Sequence, residues 1–369
     1  MNNLIVGAGL SGSVLANLIS NKLNEKVLVI DRRSVIGGNI FDFKDKSANI
    51  TVQKYGPHTF HTNNDSVWNY LSQFTQWKDF SYNPKAYIEG KMVNIPFSLN
   101  TLHQLFDSVK ASEIENKLIS EYGYGSKVPI LKLMENNNLK FISEYIYENM
   151  FRNYSSKQWG IPVEEVDSSV IGRVPVYISN EISYFTDKYQ GIPLNGYTKL
   201  IENLLSHKNI EVSLNTDFKD FDHKNFDRIF YSGSIDEYFN YEFGQLPYRS
   251  LEFDNKTLDK EYFQDTVTTY YPNDYEYTRI TEHKYFLDEK SEKTIITTEY
   301  PKAFEEGKNE RFYPVINKKN TDLYEKYLSK AKETKNLYLI GRLGLYKYLN
   351  MDTAVEKIFE LFYKELYKQ

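Results

Sequence analysis

Six residues near the N-terminus constrain this chain more than any other feature. Gly7-Ala8-Gly9-Leu10-Ser11-Gly12 follows directly on the apolar, β-prone residues 4–6. Behind it, Val14, Leu15, Leu18 and Ile19 recur near helical spacing within an apolar-periodic stretch over residues 10–23. A second strand pattern over residues 26–30 ends on Asp31. Strand, glycine turn, helix, strand and acid in this order make the dinucleotide-binding fingerprint. Gly7 permits the tight turn, Gly9 lets the backbone approach a pyrophosphate, and Gly12 lets the helix pack close to the strand. The helix N-terminus offers free N–H groups and a positive dipole to phosphate. Asp31 is placed to accept hydrogen bonds from a ribose diol. Arg32 and Arg33 hint instead at a 2′-phosphate, which Asp31 would repel.

A second glycine turn, Gly37-Gly38-Asn39, follows the acid almost at once. It resembles the FAD-binding motif of the large flavoproteins, since a long cofactor needs backbone approach along more of its length. The other reading is a plain surface turn. Near the C-terminus, residues 337–340 read as a buried strand ending in Gly341-Arg342. A helix over residues 351–366 follows, with Val355, Ile358, Phe359, Phe362 and Leu366 on one face.

Composition narrows the chemistry. Cysteine is absent, which excludes disulfides, thiolate nucleophiles, Cys-based zinc sites and iron–sulfur clusters. With only six His, no metal site is expected. A net charge of −5 offers no basic footprint for nucleic acid. Mean hydropathy of −0.57 and the lack of a long apolar run argue against a membrane span. The N-terminus has no basic segment ahead of its first apolar strand, so a cytoplasmic protein is expected. Aromatic residues reach 16%, with 32 Tyr, too many for a disordered chain.

Residues 99–150 read as mostly helical, broken at Asn136-Asn137-Asn138, whereas residues 174–313 read as strand-like. Within the latter, 266–270 and 294–298 are rich in β-branched residues, and 211–214 and 228–231 look like short strands. The fold class is therefore α/β: a Rossmann-like FAD-binding domain with a helical insert and a mostly antiparallel β-sheet domain. The boundaries are 1–80, 191–245 and 316–369 for the discontinuous FAD-binding domain, 95–165 for the helical domain, and 81–94, 166–190 and 246–315 for the sheet domain.

Among residues that could carry chemistry, His58 and His61 lie in a Gly-Pro loop without a third His nearby. They fit a cofactor-edge or sugar-contacting pair, or two structural loop histidines, better than a metal site. Arg173 and Arg279 stand in aromatic settings and have the forked geometry that clamps a diphosphate, though a surface position is the plainer reading of each. Phe151, Tyr154 and Trp159 could form a platform for a nucleobase or be ordinary core. No Ser-His-Asp order, GxSxG elbow, HExxH motif or GxxxxGK[ST] loop is present, so hydrolysis by a protein nucleophile has no support.

Taken in order, several motifs resemble the bacterial UDP-galactopyranose mutase family. They are the two glycine turns, Tyr55-Gly56-Pro57-His58-Thr59-Phe60-His61-Thr62, Lys157-Gln158-Trp159-Gly160, Tyr184-Phe185-Thr186-Asp187, Tyr248-Arg249-Ser250-Leu251, Tyr277-Thr278-Arg279-Ile280, Tyr313-Pro314-Val315 and Gly341-Arg342-Leu343. The resemblance spans nearly the whole chain. It implies an FAD-dependent isomerase active with reduced flavin, whose N5 attacks the anomeric carbon of a nucleotide-diphosphate sugar and displaces the diphosphate. The substrate it implies is UDP-galactopyranose, converted to the furanose for cell-surface polysaccharide; the enzyme would be a homodimer.

Site residues carried over by this resemblance fall into three groups. Arg173, Arg279, His58 and His61 would be catalytic, with Arg173 on a segment that closes over substrate. Phe151, Tyr154, Trp159, Tyr184, Arg249, Tyr313, Tyr348, Asn350 and Tyr82 would meet the substrate. Gly7, Gly9, Gly12, Asp31, Arg32, Gly38, Asn39, His58, Arg342 and Met351 would hold FAD. Three positions depart from the family pattern: Tyr177 replaces an Arg, Asn350 an Asp, and Tyr82 an Asn. The same chemistry on UDP-N-acetylgalactosamine or dTDP-fucose, a net FAD oxidoreductase, and a noncatalytic flavin-binding protein are the alternatives.

Overall fold

The computed structural model describes residues 2–367. Five parallel strands form the first sheet, in the order Ile210–Leu214, Lys26–Asp31, Asn2–Val6, Arg228–Tyr231, Leu337–Leu339. Both of its faces are covered. Leu4 packs with Ile30 and Ile229 on one side, and its neighbour Ile5 with Val14, Leu15 and Phe230 on the other. Burial on both faces is why these strands read as continuous apolar runs and not as alternating ones.

Helix Leu10–Leu18 lies on the Ile5 side against Tyr197–Leu204 and Met351–Leu361. The first and last of these helices are each prolonged by a wider turn, Ile19–Leu23 and Phe362–Leu366. The strand order reverses at Asn2–Val6, which has Lys26–Asp31 on one flank and Arg228–Tyr231 on the other. The crevice beyond the carboxyl ends of strands at such a switch point is the binding position of this architecture.

A seven-stranded sheet forms the second layer, in the order Tyr313–Pro314, Tyr248–Leu258, Thr294–Ala303, Arg279–Glu282, Thr268–Tyr270, Lys85–Ile88, Lys91–Asn94. Every pairing in it is antiparallel except that of Thr268–Tyr270 with Lys85–Ile88. One apolar cluster runs from Ala86, Ile88, Val93 and Ile95 at this edge into the helices Leu99–Leu105, Ser108–Tyr122, Ile130–Met134 and Lys140–Ile146. The expected break in the helical stretch is the turn Asn137–Leu139, where the Asn136 side chain accepts from the Asn138 N–H. Tyr147–Arg152 and helix Asn153–Trp159 then carry the chain back toward the second sheet.

Two differences from the sequence pattern are local. The strand-like region is interrupted by helices Tyr197–Leu204 and Ile235–Tyr238. In the first, Leu200, Ile201 and Leu204 are buried together, a short helical period hidden among β-prone neighbours. The strand expected from residue 266 begins at Thr268; ahead of it the Thr266 hydroxyl donates to the Asn83 carbonyl.

Candidate functional site

A groove of about 250 Å³ crosses the carboxyl ends of the parallel strands. Its floor is main chain. Gly7 has φ +109, and a Cβ there would lie 2.0 Å from the Ser232 Oγ. A Cβ on Gly12 would lie 2.0 Å from the Gly7 carbonyl oxygen, so helix and turn pack at a distance only glycine allows. The second glycine turn docks on the first through a Gly37 N–H to Ala8 carbonyl bond of 2.9 Å. Gly9 and Gly38 face each other there; a Cβ on Gly38 would stand 3.0 Å from the Gly9 Cα. Two opposed bare turns beside a helix N-terminus make a cradle for a pyrophosphate.

All ten residues expected to hold FAD line this groove: Gly7, Gly9, Gly12, Asp31, Arg32, Gly38, Asn39, His58, Arg342 and Met351. Asp31 is used differently from the simple expectation. One carboxylate oxygen accepts the Ala8 N–H and the other the Arg33 N–H, each at 2.8 Å, so the acid first staples the turn. Each oxygen keeps one further lone pair for a ribose hydroxyl. Arg32 and Arg33 are engaged by Glu310, at 2.9 and 3.3 Å, with Glu237 4.0 Å from Arg32. Glu237 also pairs with the buried Arg311 at 2.8 Å. These carboxylates offset the two arginines that hinted at a 2′-phosphate. Glu237 and Glu310 went unnoticed in the sequence because they come from distant segments with no motif around them.

At His58, Arg342, Asn350 and Met351 the groove meets a cleft of about 550 Å³. Strand register builds one wall of this cleft. Tyr270 pairs with Arg279, and Arg279 with Glu299, so the three residues form a row across three neighbouring strands. Arg279 Nε donates to Glu299 Oε1 at 2.6 Å, and the Glu299 side chain is only 1% exposed. Burial opposes the Arg279 charge, but Glu299 and the Tyr270 hydroxyl more than offset it, so the guanidinium is held well above its usual range.

Arg173, on the segment between helix Ser168–Ile171 and strand Val176–Tyr177, has a neutral partner in Asn350. Its Nη2 donates to Asn350 Oδ1 at 2.6 Å, and its guanidinium lies 4.2 Å over the Tyr348 ring. Arg342 sits 4.9 Å from the same ring and 5.0 Å from that of Tyr313. Tyr348 and Tyr313 stack at 5.5 Å, and Trp159 meets both edge-on. Burial raises the Tyr348 hydroxyl, yet Arg173 and Arg342 outweigh it and bring the group below its usual pKa. Burial and Tyr348 push Tyr313 up.

His58 is neutral. Burial, followed by Arg342, lowers it to about 4. Its Nδ1 lies 2.9 Å from the Gly56 carbonyl, a contact that places the proton on Nδ1 and leaves Nε2 as an acceptor. His61 stacks on Phe185 at 3.6 Å and contacts Asp187 through Nδ1 at 3.0 Å. Burial lowers its pKa against the pull of Asp187. The two histidines thus turn to separate partners.

The cleft brings together Arg173, Arg279, His58, His61, Phe151, Tyr154, Trp159, Tyr184, Tyr313, Tyr348, Asn350 and Tyr82. Arg249 does not join them. It is buried behind helix Asn153–Trp159, where Nε donates to the Gln158 carbonyl at 2.9 Å and Nη2 to that of Lys157 at 3.2 Å. Tyr177 also stays outside; its hydroxyl donates to the Tyr184 carbonyl at 3.3 Å. Tyr82 does face the cleft, and its hydroxyl meets that of Tyr270 at 3.3 Å. Tyr270 and Glu299 were missed, because only strand register sets them opposite Arg279. Arginine, lysine and histidine line the cleft, and among the described residues no carboxylate does. Such a wall suits a polyanion.

Comparison with known proteins agrees on the fold. A family model described as UDP-galactopyranose mutase matches residues 149–348, and one described as an NAD(P)-binding Rossmann-like domain matches residues 5–74. The chain is 39% identical over 360 residues to a "Probable UDP-galactopyranose mutase" of Klebsiella pneumoniae, covering 96% of this chain and 93% of that one. It is 36% identical over 365 residues to a dTDP-fucopyranose mutase of Escherichia coli, covering 97% and 96%. A crystal structure of reduced UDP-galactopyranose mutase superposes with a TM-score of 0.72 at 15% identity, covering 99% of this chain and 94% of that one.

Proposed function

Since the chain belongs to the UDP-galactopyranose mutase family and is a pyranose–furanose isomerase of nucleotide sugars, we propose that its substrate is UDP-galactopyranose and its cofactor FAD. The observation that carries this is the continuity of the two cavities. A glycine groove suited to a dinucleotide opens, at His58, Arg342, Asn350 and Met351, into a cleft with three arginines. FAD fits the groove because Gly9 and Gly38 leave a bare cradle for its pyrophosphate and Asp31 keeps acceptors for its ribose. When bound and reduced, the flavin supplies through N5 the nucleophile that this chain lacks.

The chain's own residues hold and discharge the nucleotide. Arg173 and Arg279 grip the diphosphate, and their bonds strengthen as the anomeric C–O bond breaks and charge gathers on the leaving oxygen. Tyr184, Tyr313 and Tyr348 donate hydroxyls to the same phosphates. Phe151, Tyr154 and Trp159 hold the base. Neutral His58 offers Nε2 as an acceptor at the junction, and the aromatic walls keep water from the opened sugar.

Turnover of reduced enzyme on UDP-galactopyranose, UDP-N-acetylgalactosamine and dTDP-fucopyranose, run in parallel, tests the assignment. Furanose should form fastest from UDP-galactopyranose. A preference for the dTDP sugar would move the substrate to the alternative; net oxidation without furanose would reject the mutase.

A further inference from the structure

Lys157 does not line the cleft, yet it joins two of the elements that do. It lies in helix Asn153–Trp159, which presents Tyr154 and Trp159 to the cavity. Its Nζ donates to three main-chain carbonyls, those of Tyr271 at 2.6 Å, Tyr275 at 2.8 Å and Tyr277 at 3.1 Å. An ammonium has three N–H groups and no acceptor, so every donor is used. All three carbonyls belong to the loop between strands Thr268–Tyr270 and Arg279–Glu282, which is the path from Tyr270 to Arg279. Neighbouring contacts reinforce the junction: Asn153 donates to Asn273 at 2.9 Å, and Arg249 holds the Lys157 and Gln158 carbonyls.

We propose that Lys157 is a positioning residue whose ammonium fixes the spacing between the helix bearing Tyr154 and Trp159 and the strand bearing Arg279. The proposal rests on reading the cleft as a nucleotide-diphosphate site. A half-buried cation among neutral carbonyls is set apart from the lysines that pair with carboxylates elsewhere on this surface. Burial lowers it to about 8, with Asp274 of the same loop pulling the other way. The other groups beside it are the tyrosines of the loop, while Arg249, from strand Tyr248–Leu258, reaches the Lys157 main-chain carbonyl. Burial raises the Tyr271 and Tyr277 hydroxyls, which keeps them neutral in this range. Ammonium and neutral amine alike keep N–H donors for these carbonyls, so the junction rests on the geometry of the donors and not on the titration of the group.

The test is UDP affinity of the FAD holoenzyme, measured by calorimetry, together with its turnover, for wild type, Lys157→Arg and Lys157→Met. Lys157→Met should weaken UDP binding about tenfold, as expected for loss of a charged hydrogen bond, and raise KM with kcat little changed. Lys157→Arg, which keeps N–H donors in reach of the same carbonyls, should restore most of the affinity. Wild-type affinity in folded Lys157→Met would overturn the proposal. If Lys157→Met does not fold, Lys157→Gln, with fewer donors on a shorter stem, takes its place, and wild-type affinity there overturns it. Failure of wild type to bind UDP would instead refute the nucleotide cleft, and this inference with it.

Discussion

The groove and the cleft are built of different material. The groove is backbone: two glycine turns and a helix N-terminus, assembled from residues 7–12 and 37–39 and closed by strand ends. The cleft is side chains: arginines and aromatic rings delivered by segments that lie far apart in sequence. A backbone site fails when a Cβ intrudes. A side-chain site fails when a charge or a donor is removed. Damage to one should therefore leave the other standing.

The largest expected effect is on the groove. Gly12→Val puts a Cβ 2.0 Å from the Gly7 carbonyl oxygen, which neither element can yield. The variant should purify without flavin absorbance, and full flavin occupancy would contradict the cradle. Next comes Arg279→Ala, which strands a carboxylate that is 1% exposed. Breaking one half of a buried pair costs about 3–5 kcal/mol, so its melting temperature should fall along with UDP affinity. The folded fraction should still be yellow.

Arg173→Ala should separate binding from stability. Its hydrogen-bond partners are the neutral Asn350 and the Tyr348 hydroxyl, so no buried carboxylate is orphaned. Loss of charged bonds worth about 1.5–3 kcal/mol should lower kcat/KM by about one to two orders of magnitude with an unchanged melting curve. A large drop in melting temperature would show that Arg173 is a structural residue. The smallest effect is expected from Tyr82→Phe, which removes a hydroxyl 3.3 Å from Tyr270. A shift of at most about 1 kcal/mol in discrimination between sugars is expected, read from competing substrates.

The same difference in material explains what could be read before folding. The groove was legible because its parts are local: a glycine turn and its helix are contiguous, and their periodicity needs no partner. Even there, Glu310 and Glu237 stayed hidden, since their contacts with Arg32 and Arg33 span long stretches of chain. In the cleft, residues without a long-range partner are ambiguous. Nothing local separates Arg279, which faces the cavity, from Arg249, which is spent on the Lys157 and Gln158 carbonyls. The row from Tyr270 through Arg279 to Glu299 exists only once strand register is known. Pattern alone picked out Arg173, Arg279, Phe151, Tyr154, Trp159 and the two histidines; resemblance to a family added Tyr184, Tyr313, Tyr348, Asn350 and Tyr82, which line the cleft, and Arg249, which does not.

The proposed chemistry has one most direct test: the number of furanose molecules formed per electron pair delivered to the flavin. Enzyme reduced once, under exclusion of oxygen, should convert many equivalents of UDP-galactopyranose to UDP-galactofuranose with its flavin still reduced at the end. One product per reduction, or flavin reoxidised with no furanose formed, would contradict an isomerase in which the flavin is the nucleophile and the chain supplies the grip.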